Sequence, residues 1–150
     1  MSEESMASPG VRSAHTTPGT SVWAPVVLVG RICLSFVFVI SSINHFNGTD
    51  VAYAVQAGVP MAKFAVPFTG VLALLGGLSI LLGFHARIGA WLVVIFLVGV
   101  TPIMHNYWAV KDPMMHAMQM VNFYKNLSML GGALLITQFG SGPLSLAGKR

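Results

Sequence analysis

The sequence predicts an all-α membrane protein, a four-transmembrane-helix bundle behind a disordered N-terminal tail. Three observations predict it. Hydrophobic residues make up 55% of the 150-residue chain and charged residues only 8%. The mean hydropathy is +0.75, and the apolar residues gather into four runs of about spanning length. A water-soluble domain carries roughly 25% charged residues, so this composition is too poor in charge to cover a water-facing surface.

Residues 1–24 (with SEESMASPGVRSAHTTPGTS near the start) are rich in Ser, Thr, Pro and Gly and poor in large apolar side chains, which predicts a disordered cytoplasmic tail. The apolar run behind it is too long for the h-region of a cleavable signal peptide, so the first helix is expected to serve as its own insertion signal. The four runs cover residues 26–46, 64–84, 88–105 and 122–139. At 1.5 Å per residue each reaches roughly 27 to 31 Å, the thickness of the hydrocarbon core. Only helices satisfy every backbone group along such segments without water. The membrane domain is therefore placed at residues 25–140, with a short cytoplasmic tail at 141–150. His85, Ala86 and Arg87 alone separate the second and third spans, whereas the connections over 47–63 and 106–121 are long enough for short interfacial helices.

An even number of spans puts both termini on one side. Arg12, Arg31, Arg87, Lys149 and Arg150 fall on that side and Lys63, Lys111 and Lys125 on the other, with Asp50 and Asp112. The positive-inside rule makes the terminal side cytoplasmic, which places the chain in an inner or plasma membrane. The net charge of +4 comes from basic residues dispersed between apolar runs, so no phosphate-binding stripe forms and no nucleic-acid partner is expected. Cys33 is the single cysteine, which excludes an intramolecular disulfide or a cysteine-built metal site. Its expected role is packing.

Packing is also written in small residues. Gly70, Ala73 and Gly77 share one face of the second span, and Ser128 and Gly132 repeat the small-xxx-small spacing in the fourth. Pro102 lacks an N–H and should bend or unwind the outer end of the third span, near His105 and Asn106.

Two groups of polar residues carry the candidate chemistry. Arg31, Ser35, Ser42 and His45 lie near one face of the first span, and in lipid that face should turn inward. Arg31 is also near enough to the cytoplasmic end to snorkel. The second group gathers at the outer ends: Asn44 and His45, His105 and Asn106, Lys125 and Asn126. His45, His105 and Lys125 are the candidate catalytic residues, and Arg31, Asn44, Asn106 and Asn126 the candidate binding residues. Histidines on two helices can ligate a metal, exchange protons with a quinone headgroup or simply anchor at the interface. No HxxxH or cysteine pattern is present, so no metal site is assigned. The PMMHAMQM segment offers thioethers for Cu(I), but four flexible apolar side chains at an interface are first of all membrane contacts.

The stretches GRICLSFVFVISSINHF, YAVQAGVP, VLALLGGLSILLGFHARIGAWLVVIFL, MHNYW, YKNLSMLGGALLI and GSGPLSL, in this order, resemble the DoxX family of four-helix membrane proteins over residues 29–146. The resemblance implies a small subunit of a membrane oxidoreductase acting on a quinone or another small reducible substrate, as in thiosulfate:quinone oxidoreductase or quinol oxidase complexes. By position it carries over Arg31, Asn44, His45, His105, Lys125 and Asn126. This chain has Ala73 and Ala147 where many relatives carry a glutamate and an aspartate. Two other functions stay open: a non-catalytic assembly or anchoring subunit docking a membrane-protein partner or a second copy, and a small-solute permease. Lipid contact is common to all three.

Overall fold

The computed structural model describes residues 22–146. Most of the tail expected at 1–24, and the last four residues, lie outside the described residues. Five α-helices follow in order: α1 (Ala24–Asn44), α2 (Thr49–Gln56), α3 (Ala62–Leu82), α4 (Ala86–Met104) and α5 (Pro113–Phe139), with a 3-10 turn at Tyr107–Ala109. Among the described residues there is no strand. Three stretches, Ala24–Asn44, Ala62–Leu82 and Ala86–Ala109, are long and apolar enough to cross a bilayer.

The fourth long helix departs from its expected bounds. It begins at Pro113, not near residue 122, and so absorbs most of the connection expected to hold a short interfacial helix. The cause is local. Asp112 caps the helix, its Oδ1 accepting from the Met115 N–H at 2.8 Å, and Pro113 occupies the first helical position, where its missing N–H costs nothing. Its 27 residues include Gln119, Asn122, Lys125 and Asn126, which make it less apolar than the other three. The expected short helix does form in the first connection, as α2. It is framed by Gly48 at φ 78° and Gly58 at φ 75°, left-handed positions that glycine adopts without strain. Helix α4 runs through Pro102 and stops two residues later, at Met104.

Helix α3 packs on both α1 and α4, and α4 packs on α5 as well. Phe38 of α1 meets Phe96 of α4 edge to face at 6.1 Å, and together with Ala73, Ile80, Ala90, Val93, Leu97 and Ala133 they form the main core. Lipid tails are as apolar as these side chains, so close fit, not escape from water, holds the helices together. Glycine supplies the fit. A Cβ on Gly70 would stand 2.6 Å from the Cβ of His45, and one on Gly77 would stand 3.0 Å from that of Phe38, so both glycines let α1 settle onto α3. Gly76 does the same for α4, against the Gly89 carbonyl oxygen at 2.8 Å.

The two ends of the bundle differ. Residues 141–146, following α5, cross back to α1 and the end of α3: the Leu146 N–H donates to the Leu82 carbonyl and Arg31 Nη1 to that of Ser141, while Arg87 Nη2 donates to the Gln138 carbonyl in the last turn of α5. We call this the terminal end. The opposite end holds α2, the close of α1 and α4 and the opening turns of α3 and α5.

Gly76→Ala forces a backbone carbonyl to move and should cost about 1–3 kcal/mol. Gly30→Ala meets open space and should raise stability by up to about 1 kcal/mol, since alanine is the better helix former. Unfolding of the purified protein in mixed micelles by denaturing detergent, followed by circular dichroism, measures both.

Candidate functional site

A cavity of about 450 Å³ lies in the half of the bundle away from the termini. Its walls are mostly apolar, with Phe38, Val66, Leu97, Val100, Met104 and Met129 among them; its polar groups are His45, Asp50, Tyr53, His105, Lys125 and Asn126, with the hydroxyls of Ser41 and Thr69. All five α-helices contribute.

His45 stands at the last turn of α1, where the missing side chain of Gly70 leaves room for it. Its Nδ1 is 3.0 Å from the Ser41 carbonyl oxygen and 3.2 Å from Asp50 Oδ2. Both partners accept, so Nδ1 carries the proton and Nε2 is left as the reactive nitrogen. Asp50 comes from the first turn of α2, where the helix dipole favours a carboxylate. The ring of His45 also lies 5.9 Å from that of Phe96.

His105 closes α4. Its Nδ1 is 2.8 Å from Gln119 Oε1, and Gln119 Nε2 donates to the Tyr53 hydroxyl at 2.6 Å. This relay joins α4, α5 and α2. On α5, the buried Asn126 donates through Nδ2 to Thr101 Oγ1 at 3.2 Å. Exposed Lys125 donates to Asn122 Oδ1 at 2.9 Å from the cavity's edge.

Of the residues singled out from sequence, His45, His105, Lys125 and Asn126 meet at one cavity. Asn44 is exposed and Asn106 half-buried, and neither lines it. Arg31 is at the terminal end. It is 3% exposed and donates from Nη1 to the Ser141 carbonyl at 2.9 Å and from Nη2 to that of Leu144 at 2.6 Å. The residue thus ties the segment after α5 to α1. Sequence reasoning missed Asp50, Tyr53, Thr101 and Gln119. The signal for Gln119 was helical spacing: Gln119, Asn122 and Asn126 are three and four residues apart, one face of α5 once the helix is known to start at Pro113. Among the described residues no three His, Cys, Asp or Glu gather in a way that could hold a metal ion.

Three apolar helices of membrane-spanning length, packed around a walled cavity with a polar end, define the class: a multi-pass helical membrane protein. The DoxX family model matches residues 26–106, and the chain belongs to the DoxX family. It is 32% identical over 123 residues to the inner membrane protein YphA of Escherichia coli K12, covering 81% of this chain and 87% of that protein. Identity to the inner membrane protein YqjF of the same organism is also 32% over 123 residues, covering 80% and 88%. The yeast (Saccharomyces cerevisiae) ER-derived vesicles protein ERV29 is 30% identical over 83 residues, which is 55% of this chain and 26% of that one. No solved structure matches the chain.

Tyr53→Phe removes the acceptor of a buried carboxamide and should cost about 1 kcal/mol. Hydrogen exchange over residues 49–56 should quicken roughly fivefold, with the rest of the bundle unchanged. Arg31→Met should accelerate exchange over 141–146 and leave 49–56 as it was.

Proposed function

We propose that the chain is a membrane-embedded oxidoreductase subunit whose cavity holds a quinone or a similar small reducible amphipath. The observation that carries this reading is the cavity itself, apolar along its walls and polar at one end, where two imidazoles and an ammonium stand beside a carboxamide and a phenol. A volume of about 450 Å³ falls in the range of sites for small organic ligands, roughly 300–1,000 Å³. A ring with an apolar body and polar oxygens matches both surfaces. The histidines suit proton exchange with such oxygens, each ring being oriented at Nδ1 by a partner.

In this reading α5 is the fourth span and both termini are cytoplasmic, so the cavity opens in the outer half of an inner or plasma membrane. The support is that Arg31 and Arg87 sit at the terminal end with the segment that follows α5, whereas Lys125 sits at the other. The exposed apolar faces then meet lipid, a membrane-protein partner or a second copy. A non-catalytic anchoring subunit is the alternative, and it requires no ligand in the cavity.

Gly99 separates the two. It lines the cavity, and a Cβ there meets nothing within 4 Å, so Gly99→Phe adds bulk without a clash at its root. With the protein in nanodiscs and 2-heptyl-1,4-naphthoquinone as probe, offered both oxidised and chemically reduced to its hydroquinone, we expect saturable binding of one molecule per chain in at least one of the two forms. Gly99→Phe should weaken it at least tenfold without lowering the melting temperature. Partition no greater than into protein-free discs, or binding indifferent to the substitution, would remove the proposal.

A further inference from the structure

The hydrogen-bond polarity of the cavity selects among its occupants. Nδ1 of His45 faces only acceptors, the Ser41 carbonyl oxygen and the Asp50 carboxylate, so a neutral ring must carry its proton there and offers a lone pair at Nε2. His105 is set the same way, because the oxygen of the Gln119 carboxamide faces its Nδ1 while the NH₂ group is spent on Tyr53. Among the described residues nothing bonds Nε2 of either ring. Asn126 uses one of its two N–H groups on Thr101, so its carboxamide can still both donate and accept.

The two imidazoles therefore present acceptors, as do the hydroxyl oxygens of Ser41 and Thr69, whose protons go to the Val37 and Val66 carbonyls. The phenol and the ammonium belong to more exposed side chains: Tyr53 is 41% exposed with its hydroxyl already accepting from Gln119, and exposed Lys125 already donates to Asn122. A carbonyl-bearing ring brings further acceptors and would leave the Nε2 lone pairs of His45 and His105 facing lone pairs. A hydroxyl-bearing ring satisfies them. Leaving a buried acceptor unmatched is what makes polar sites selective.

We infer that the cavity selects a hydrogen-bond-donating ring, a phenol or hydroquinone with an apolar tail, over the matching ring that bears only carbonyl or ether oxygens. This rests on the cavity's being a ligand site, as proposed above, and adds which chemical state it holds. His45 and His105 are the residues that set the preference.

Three probes of one size test it: 4-heptylphenol, its methyl ether 4-heptylanisole, and 2-heptyl-1,4-benzoquinone. Each is equilibrated by dialysis with the full chain in nanodiscs and with empty discs. The phenol should bind at least tenfold more tightly than the ether and the quinone. His105→Leu should erase most of that advantage while leaving ether binding as it was, because the ether never donated to the ring; a misfolded variant would instead lose both. Equal binding of the three probes, or tighter binding of the quinone, overturns the selectivity and leaves the ligand site standing. Binding of none of them overturns the ligand site itself.

Discussion

A helix in lipid has no water to satisfy its polar side chains, and the arrangement of this molecule follows from that. Along α1, α3 and α4 most polar groups either bond back to their own helix, as Ser41 does to Val37 and Thr69 to Val66, or turn to an end of the bundle; Ser35, fully buried midway along α1, is an exception whose hydroxyl meets no partner among the described residues. The ends resolve the constraint in different ways. At the terminal end Arg31 is bound by backbone carbonyls of the chain that follows α5, so its charge is used to fasten one piece of the molecule to another. At the cavity end side chains meet side chains, and each histidine is held by one nitrogen with the other left over. An end that keeps unspent lone pairs beside an apolar hollow is suited to a guest; an end whose carbonyls are already taken is suited to closure.

The glycines make that hollow compatible with a firm bundle. Helices without a hydrophobic driving force between them hold only where they fit closely; Gly70 and Gly76 bring α3 against α1 and α4 at distances that a Cβ would not allow without a shift, and Gly77 is nearly as tight against α1. Gly70 is the link between packing and site, since its missing side chain is the space His45 occupies. By contrast Gly99, on the cavity wall, touches nothing at its Cβ position. One residue type thus tightens the contact of helices at some positions and leaves the cavity open at another.

How far the sequence disclosed this depends on the kind of signal. Hydropathy located the three apolar helices, and spacing along α1 identified Arg31, Ser35 and Ser42 as an inward stripe, all three buried. The small residues of α3 were legible for the same reason, a helical period. The start of α5 was not, because a hydropathy window weighs Gln119 and Asn122 as polar linker, whereas the boundary is set by two residues outside the apolar run, Asp112 and Pro113. Missing that start hid Gln119, and with it the bond to Tyr53 that draws α2 over the cavity. The partners of Arg31 were hidden for another reason: they are carbonyl oxygens, and no side chain encodes them.

Ala73 shows where the polar work of this chain has been placed. The resemblance to DoxX proteins puts a glutamate at this position in many relatives, inside the second long helix. Here Ala73 is fully buried in the main core among Phe38, Ile80, Val93 and Leu97. An ionised carboxylate among those apolar side chains would carry the full cost of burying a charge in lipid. The carboxylate that does face a histidine in this chain is Asp50, carried on the short helix between α1 and α3, where it is partly exposed and still within 3.2 Å of His45. The acid–imidazole pair of this chain thus stands at the edge of the bundle, on the short helix beside the cavity, and the main core is built of apolar side chains alone.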